Sequence, residues 1–408
     1  MNLTHLSLTD FRTFHRLDID IPRRILLLVG DNAQGKTSIL EAIYYLATYT
    51  SLQSQNDREL ISFLFLEDTL SITRLVADYE REESNRTIEV RLIMEPNNNG
   101  LKRMRKEILV DGVKRPAHAA IGNFNAVLYL PQMTRIFEGG PDERRKYLNL
   151  PLAQAIPGYA KWLSEYVQII TQRNALLRQI AEDHSDPGQL KYWDEMLAER
   201  ASAIMAARLA CVREMELIAK GVHRQFTANK EEFSMVYQPS FIYNQSDVEN
   251  ETSTMAIDDG SINIDHEKLS EAFINRLEKI RKKEIIRGVS TIGPHRDDIR
   301  FLANGIDLCT YGSRGQIRTS LLTLKMAEKE WLKGKTSSIP ILLLDEVMAE
   351  LDLQRRNDLL DYLVNNGQAI LTTTDLNHFS KHFIDECTIY KVAGGVVSGY
   401  KGDENLVI

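Results

Sequence analysis

Residues 30–37 carry the residue types and spacing that phosphate chemistry needs. They read GDNAQGKT, in which two glycines let the backbone wrap around phosphate oxygens while the amides at the start of the next helix donate to them. Lys36 is expected to reach the β- and γ-phosphates of a nucleotide, and the hydroxyl of Thr37 is expected to bind Mg²⁺. The segment therefore predicts a nucleotide-binding loop.

Residues 341–352 supply the acids that such a loop requires. They read ILLLDEVMAELD, so four apolar residues end in two carboxylates at the edge where doubly wound sheets bind their ligands. Asp345 is expected to hold the Mg²⁺ shell, and Glu346 to polarise the attacking water as general base. An apolar run followed by acids is common by itself, but together with the phosphate loop it predicts an ATPase.

Residues 313–316, SRGQ, form a second predicted anion site. A serine side chain and the amides of a helix N-terminus bind anions, and this segment occupies the position of the ABC-ATPase signature. One chain cannot bring it onto its own phosphate loop in that architecture. We therefore expect a homodimer in which ATP lies between the loop of one protomer and Ser313 of the other. The alternative is an ordinary helix start that contains a glycine.

Three further polar positions are candidates for contacts to Mg²⁺ or the γ-phosphate. Gln132 follows a strand and a proline, and is a candidate link between Mg²⁺ and the helical region; a solvated loop glutamine is an equal alternative. Thr374 ends the strand after the acidic one, where this class senses the γ-phosphate, and His378 lies shortly beyond. The sequence leaves open which of these two is the sensor.

The patterns around these segments predict an α/β fold with a helical interruption. LLLVG at residues 26–30 is a continuous apolar run, typical of a parallel strand buried on both faces. Residues 159–180 and 190–220 carry apolar residues at three- and four-residue spacing, which predicts two long antiparallel helices. Strand–helix alternation returns after residue 287. We therefore expect one ATPase lobe built from both chain ends, with a helical lobe inserted.

The predicted domain organisation follows from this change of pattern. The fold is expected to be an ABC/SMC-like ATPase head with an inserted, mainly helical arm domain. Residues 1–150 and 287–408 form the two halves of the head, and residues 151–286 form the arm. Residues 244–268 are polar and acidic, which predicts a flexible insertion that buries too little apolar surface to order. An acidic protein-docking segment is the less favoured alternative.

Charge and cysteine content limit the classes of partner and compartment. The net charge is −7, and residues 247–271 hold eight acids against the single Lys268, so the remainder is neutral and any DNA contact must be a local patch. The sequence contains no run of about 18 apolar residues, so we expect no membrane span. Cys211, Cys309 and Cys387 are far apart, which favours a reducing cytoplasm without a disulfide framework.

Three basic clusters are candidates for such a DNA-binding patch. Each would neutralise phosphates if it faced DNA, although a solvated face is the commoner role of a charge run. The first cluster is the favoured one because it flanks a strand turn. The clusters are Lys102, Arg103, Arg105, Lys106, Lys114 and Arg115; then Arg144, Arg145 and Lys146; then Arg281, Lys282, Lys283 and Arg287.

Longer segments resemble the RecF family of bacterial, SMC-like recombination ATPases. In chain order they are DFRTF, GDNAQGKTSILEAIYYLATYTS, LPQMTRIFEGGPDERRKYLN, TQRNALL, WDEMLAERASAI, TIGPHRDDIRFLANG, YGSRGQIR, LLLDEVMAELD and TTTDL. They follow the family order and are spread over nearly the whole chain, with residues 240–268 as the main stretch left without a counterpart. The pair GPHRDDI and SRGQIR is far more specific than the phosphate loop, which many ATPases share.

The resemblance implies an SMC-like head and a helical arm, with ATP-dependent dimerisation and binding to double-stranded DNA near single-strand gaps. It implies RecR as a partner, acting with RecO to load RecA, and slow, DNA-stimulated ATP hydrolysis that resets the clamp. The nucleotide-contacting residues that we predict from motif and resemblance together are Gly30, Asn32, Gly35, Lys36, Thr37, Ser38, Ser313, Gly315, Gln316, Asp345 and Glu346.

The chain departs from the family pattern at three positions. Thr13 stands where asparagine is usual, Glu346 follows Asp345 where a second aspartate is common, and Gln132 stands where an acid is more frequent. Glutamate is the usual general base of ABC ATPases, so Glu346 still predicts hydrolysis. The alternatives are a transport ATPase subunit, a nucleotide-dependent interaction module that scarcely turns over, and another SMC-like head such as an end-sensing repair ATPase.

Overall fold

The computed structural model describes residues 1–52, 54, 56–62, 71–96, 102–183, 185–241, 266–400 and 405–407. Most of the predicted acidic insertion lies outside these residues. Its last three positions, 266–268, differ from the prediction because they form the first turn of a helix. The apolar face of that helix begins at Leu269 and continues at Phe273 and Leu277, all buried, so packing extends the helix further toward its N-terminus than expected.

The strands of the described residues alternate with the helices at both ends of the chain. In chain order they are β1 (Asn2–Phe11), β2 (Phe14–Asp20), β3 (Ile25–Val29), β4 (Ser71–Arg81), β5 (Ser84–Pro96), β6 (Lys102–Val110), β7 (Val113–Arg115), β8 (Ala126–Tyr129), β9 (Phe233–Gln238), β10 (Asp298–Ala303), β11 (Ile306–Asp307), β12 (Ile341–Leu344), β13 (Ala369–Thr373), β14 (Cys387–Ala393), β15 (Val396–Tyr400) and β16 (Asn405–Val407).

The helices include two much longer than the rest, both in the middle of the chain. In chain order they are α1 (Lys36–Thr48), α2 (Ala117–Ala120), α3 (Arg135–Glu138), α4 (Pro141–Ala155), α5 (Tyr159–Asp183), α6 (Leu190–Phe226), α7 (His266–Arg287), α8 (Leu308–Tyr311), α9 (Arg314–Thr336), α10 (Leu353–Asn365) and α11 (Lys381–Asp385).

A seven-stranded sheet in the order β16-β15-β14-β3-β13-β12-β8 forms the centre of the fold. The five strands from β14 to β8 run parallel, and their apolar runs are buried as expected of strands covered on both faces. Strands β3 and β8 come from the first part of the chain, and the others come from its last part. The sheet therefore joins both chain ends, as the sequence predicted.

Helix α1 lies between this sheet and a six-stranded antiparallel sheet in the order β2-β1-β4-β5-β6-β7. It contacts β4 and β5 on one side and β8, β12 and β13 on the other. Eleven of its residues, from Lys36 to Thr48, are buried. Such a helix cannot shift without disturbing both sheets, so the residues at its N-terminus have a fixed position.

The helical region in the middle of the chain packs directly on the sheet region. Helices α5 and α6 form the predicted antiparallel pair, α7 packs against both, and α6 packs along α9. Strand β9, which follows α6, pairs with β10 in a small three-stranded sheet. One hydrophobic core runs through both regions. The division into head and arm at residues 151 and 287 stays a prediction.

The segment at residues 290–298 connects the helical region to the sheet region. Asp298 accepts two hydrogen bonds from the guanidinium of Arg144 on α4, at 2.7 and 2.9 Å. The buried guanidinium of Arg208 on α6 donates to the carbonyl oxygen of Pro294 at 2.6 Å. This segment contains GPHRDD, so the most family-specific motif of the chain holds helices α4 and α6 together.

His295 lies within this connection and contacts Tyr166 of α5. Its Nδ1 lies 2.6 Å from the hydroxyl of Tyr166, and its Nε2 lies 3.2 Å from the carbonyl oxygen of Ser290. A carbonyl can only accept, so Nε2 carries the proton and Nδ1 accepts from Tyr166. Burial, reinforced by nearby arginines, lowers the pKa of His295 to about 4. The neutral ring is therefore the form that fits the folded chain.

We expect the chain to lose stability through His295 as the pH falls. The folded-state pKa of His295 lies below the unfolded value near 6.5. Folding therefore costs nothing through this residue above pH 6.5, and the free energy of unfolding falls as the pH drops from there toward 4. Between pH 7 and pH 5 the loss from this residue is about 2 kcal/mol. Urea unfolding of wild type and His295→Gln at both pH values measures it. Equal pH dependence in the two proteins would contradict the prediction.

Candidate nucleotide-binding site

The loop at residues 30–35 connects β3 to α1, and its two glycines are required by their surroundings. Gly35 has φ 107°, and a Cβ there would lie 2.9 Å from the ring of Phe14. A Cβ at Gly30 would collide with the carbonyl oxygen of Val392. Gly35 is also the N-cap of α1, where no side chain caps the helix. The first amides of α1 are thus left for an anion.

Lys36 is buried at the start of α1, with its ammonium folded into the loop. The ammonium donates to the carbonyl oxygens of Gly30 at 2.7 Å and Asp31 at 2.9 Å. It also lies 3.2 Å from Oε1 of Glu346. The side chain thus joins the phosphate loop to the acidic segment, although residues 36 and 346 are far apart in the sequence.

Asp345 is held at the end of β12 by two hydroxyl groups. The hydroxyl of Thr37 lies 2.9 and 3.0 Å from its two carboxylate oxygens, and the hydroxyl of Thr372 donates to Oδ1 at 2.7 Å. Burial raises the pKa of Asp345 above its usual value, while the hydrogen bonds from Thr372 and Thr37 oppose that rise. The carboxylate and the Thr37 hydroxyl are both oxygen ligands, which is the donor set that Mg²⁺ prefers.

Glu346 follows in the left-handed conformation, with φ 46°. This backbone turn sends its side chain to Lys36, and its amide donates to the hydroxyl of Thr372 at 3.0 Å. Oε1 is buried, and its contact among the described residues is the ion pair with Lys36, not a hydrogen bond. A carboxylate oxygen with an unused acceptor position beside the phosphate loop suits a general base.

Thr372 is a site residue that the sequence reasoning missed. It is buried on β13, the strand between β3 and β12. Its hydroxyl both donates to Asp345 and accepts from the amide of Glu346. The sequence predicts a γ-phosphate sensor at the end of the TTTD segment, but the register that places Thr372 beside Asp345 depends on the strand order.

Thr372→Val is expected to destabilise the fold by about 1–3 kcal/mol, because it removes one of the two hydroxyl groups that hold the Asp345 carboxylate and leaves the Glu346 amide without its partner. Thermal unfolding measures the effect. Thr372→Ser, which keeps the hydroxyl, is the matched control and is expected to retain most of the stability. A valine variant as stable as the serine variant would show that the hydroxyl contributes nothing.

The predicted signature segment caps α9. The hydroxyl of Ser313 accepts from the amide of Gln316 at 3.2 Å, and the side chain of Gln316 accepts in return from the amide of Ser313 at 3.0 Å. The side-chain Nε2 of Gln316 also donates to the carboxylate of Glu231 at 3.1 Å. Ser313 and Gly315 are exposed. Within the described residues, this cap shares no hydrogen bond with the phosphate loop, so its role toward nucleotide stays a prediction.

The remaining predicted contacts lie around the carboxyl ends of the parallel strands. Asn32 is exposed in the loop and Ser38 is partly exposed in α1. Gln132 is exposed in the 3₁₀ turn after β8, next to the end of β12. Thr374 and His378 follow β13. Their positions agree with the predicted edge, and their contacts to nucleotide or Mg²⁺ stay predictions.

The first two basic clusters are largely taken up by internal contacts. Arg105 and Lys114 both pair with Glu107, and the ammonium of Lys106 donates inward to the carbonyl oxygen of Tyr49 at 2.8 Å. In the second cluster, Arg144 pairs with Asp298 as described above, Arg145 donates to the carbonyl oxygen of Asp297, and Lys146 pairs with Glu143. Neither cluster presents all of its charges to a ligand.

A cleft of about 960 Å³ opens away from the predicted nucleotide site. It is bounded by the β4–β5 turn, the segment after α2, the α4–α5 junction and the end of α9. None of the predicted site residues lines it. The residues predicted to bind nucleotide meet instead at the phosphate loop, where Lys36 and Thr37 contact Glu346 and Asp345.

In the part of the chain that the structure describes, every helix is too short or too polar to span a membrane. In the same residues, no group of three or more histidine, cysteine, aspartate or glutamate side chains is arranged to hold a metal ion. A Mg²⁺ ion bound as predicted would take its protein ligands from a hydroxyl and one carboxylate, with nucleotide oxygens completing the shell.

Comparison with known proteins agrees with the fold and the motifs. Residues 2–397 match the family described as the RecF/RecN/SMC N terminal domain. The DNA replication and repair protein RecF of Chloroflexus aggregans is 36% identical over 406 residues, covering 97% of this chain and 99% of that protein. RecF of Halothermothrix orenii is 32% identical over 405 residues, covering 98% of this chain and 100% of that protein.

A solved structure also matches over nearly the whole chain. The structure of the recombination mediator protein RecF-ATPrS in the RecFOR pathway has a TM-score of 0.80 and 27% identity, covering 98% of both chains. The predicted ABC/SMC-like α/β fold is thereby confirmed.

Proposed function

The chain belongs to the RecF family, and we propose that it is an ATP-dependent, DNA-binding recombination mediator. The observation that carries the proposal is the convergence of Lys36, Thr37, Asp345 and Glu346 at one edge of the parallel sheet. The matched relatives span almost the whole chain and are named for DNA replication and repair. Both the site and the relatives therefore support an ATPase that serves DNA repair.

The proposed ATP chemistry assigns a role to each side chain at the site. The α1 amides and Lys36 bind the phosphates, and Thr37 with Asp345 would hold Mg²⁺, which neutralises charge on the phosphates. Glu346 accepts a proton from the attacking water. Oε1 of Glu346 lies 3.2 Å from the ammonium of Lys36, so the ion pair holds this carboxylate beside the group that binds the phosphates. Hydrolysis is proposed to be slow, to be stimulated by DNA and to reset the protein.

The proposed active form is a homodimer with two shared ATP sites. The exposed hydroxyl of Ser313 and the N-terminus of α9 would complete the site of the second protomer. The capping box supports this role because it fixes Ser313 at the helix start. Two apolar side chains next to the predicted motifs are exposed: Tyr311 precedes the Ser313 cap, and Leu353 follows the acidic segment that ends at Asp352. Contact with a second copy would cover them.

The proposed biological setting is the cytoplasm, at double-stranded DNA beside single-strand gaps. RecR is the proposed partner, acting with RecO to load RecA. The solved relative described as part of the RecFOR pathway supports this setting at 27% identity. The separate contributions of these partners are inferred from the family.

A mixing experiment tests the shared site. Lys36→Arg and Ser313→Arg are each expected to be inactive in ATP hydrolysis, the first because the phosphates are misplaced and the second because an arginine blocks dimerisation at that surface. Because Ser313→Arg would also impair the mixed dimer, the mixture pairs Lys36→Arg with Ser313→Ala, which removes the hydroxyl without blocking the surface. A mixture of two variants with complementary defects has one intact site in each mixed dimer, so about a quarter of wild-type turnover returns. No recovery in verified mixed dimers would overturn the shared site.

A binding experiment tests the DNA role independently. Binding to gapped and blunt duplex is measured with and without ATP, and ATP hydrolysis is recorded in parallel. Tighter binding with ATP, strongest on gapped DNA, is expected. Equal binding with and without ATP would contradict an ATP-dependent clamp, whatever the mixing experiment gives.

A further inference from the structure

Helix α7 presents a row of exposed cations beside its buried face. These side chains are exposed, and none of them forms an ion pair with a described residue. This contrasts with Arg281 of the same helix, which turns inward to pair with Asp194 at 2.8 Å. We call the row the α7 stripe; it consists of Arg276, Lys279, Lys282, Lys283 and Arg287.

The spacing of the α7 stripe gives it a defined length and direction. Residues 276, 279, 283 and 287 are three or four positions apart and therefore lie along one side of the helix. The buried residues Phe273, Leu277 and Glu284 lie on an adjacent side of the helix. From residue 276 to residue 287 the helix rises about 16 Å. Glu278 is the single exposed acid in that span, so the surface carries a strong local positive charge.

A cation of the neighbouring helix α5 extends the positive surface. The side chain of Arg178 on α5 is exposed and lies beside Gly288, directly after the stripe. The apolar side chain exposed within the stripe is Ile286, at 83%. Docking sites for proteins centre on buried aromatic and aliphatic anchors in a packed patch. A convex row of cations with one isoleucine has no such centre.

The ligand that fits this row is a regular line of negative charges. One strand of duplex DNA carries a phosphate every 3.4 Å of helix axis, so about five consecutive phosphates span the 16 Å of the stripe. The stripe is also the basic cluster that internal pairing leaves most accessible, since the clusters at 102–115 and 144–146 are largely used within the fold.

We propose that the α7 stripe binds the phosphate backbone of duplex DNA. The proposal rests on the DNA-binding function proposed above and names the surface that performs it. It also moves the predicted contact from the cluster at 102–115, favoured by the sequence, to the helix that closes the arm. Contacts of this kind are independent of base sequence.

The test compares two triple variants of the full-length protein. K279Q/K283Q/R287Q removes three charges from the stripe while keeping good helix formers, and R103Q/K114Q/R115Q removes three charges from the 102–115 cluster. Binding of each to a fluorescent duplex is measured with ATP across a range of salt concentrations. Circular dichroism and thermal unfolding establish that both variants are folded.

For the stripe variant we expect weaker binding and a shallower salt dependence. Each lost phosphate contact reduces the slope of log K against log salt by about 0.9, so three lost contacts reduce it by nearly 3 and lower the affinity on the order of 100-fold at 0.1 M salt. The control variant is expected to stay within about threefold of wild type.

The outcomes separate this inference from the function on which it rests. If wild type itself does not bind duplex DNA, the proposed function fails. If wild type binds and the stripe variant keeps its affinity and salt slope, the inference fails while the function stands. Loss of binding in the control variant alone would place the DNA at the 102–115 cluster. Intact DNA binding with lost binding to an acidic partner protein would also overturn the proposal.

Discussion

Glu346→Gln is expected to lower ATP hydrolysis by about 10²–10⁴-fold while ATP still binds. The amide has nearly the same size and shape as the carboxylate, so the turn at φ 46° and the contact with Lys36 can persist. It cannot accept a proton from water, however, and the chemical step loses its base. The ligands proposed for Mg²⁺, Thr37 and Asp345, are unchanged. ATP affinity is therefore expected to stay within a few-fold of wild type.

Single-turnover hydrolysis and nucleotide binding by fluorescence separate these two effects. Glu350→Gln is the matched control: it changes the same functional group in the same segment, but its carboxylate pairs with Arg318 and not with Lys36. Turnover of the control is expected to stay within a few-fold of wild type. If both amide variants hydrolyse ATP equally, Glu346 is not the base. An accumulation of ATP-bound dimers with Glu346→Gln would agree with the proposed reset by hydrolysis.

The central part of the site was predictable because its signals are local. A buried strand, a glycine loop and a helix follow one another in residues 25–48, so the position of Lys36 depends on a few adjacent residues. Asp345 was predictable for the same reason, since an apolar run fixes the strand and its end. Parallel strands bring their carboxyl ends to one edge, so the two segments were expected to meet.

Two contacts could not be predicted in this way: that of Thr372 with Asp345, and that of Arg12 with Glu41 on α1. Thr372 reaches Asp345 because β13 lies between β3 and β12, and that strand order is not encoded in any short segment. Arg12, in a turn with φ 53°, makes two hydrogen bonds of 2.9 Å to the carboxylate of Glu41 on α1. This pair fixes the helix that carries Lys36, and it joins residues from two separate elements.

The basic clusters show why charge content alone does not locate a ligand. In β6, successive side chains point to opposite faces of the sheet, so Arg105 lies on the surface while Lys106 reaches inward to Asp57 and Tyr49. In α4, Arg144 is buried because an aspartate distant in sequence, Asp298, reaches it. A count of cations along the sequence does not distinguish exposed basic side chains from those paired inside the fold.

The arm and the predicted signature segment are linked by a chain of polar contacts. Nδ1 of His223, near the end of α6, lies 2.9 Å from the hydroxyl of Thr323 on α9, and its Nε2 lies 3.4 Å from Glu231. Glu231 in turn accepts from Gln316, the partner of Ser313 in the cap. These contacts connect α6 to the cap that holds Ser313.

The second large effect is expected from the buried charges that hold the arm together. Arg173 on α5 is fully buried and pairs with Asp194 on α6 and with Glu284 on α7, both at 2.8 Å. Its guanidinium also donates to the hydroxyl of Ser290 at 2.7 Å. One side chain thus joins three helices and the segment that leads to GPHRDD. Removing one member of such a group leaves a buried charge without its partner.

Arg173→Met is accordingly expected to destabilise the protein by about 3–5 kcal/mol. Arg200→Met is the matched control, because Arg200 on α6 also bridges to α5, through Glu165, but in a partly exposed pair; its loss is expected to cost less than about 1 kcal/mol. Urea unfolding of both variants gives the comparison, and similar midpoints would contradict it. Adding Glu284→Met to Arg173→Met is expected to recover part of the loss, because an apolar pair removes the unpaired charge.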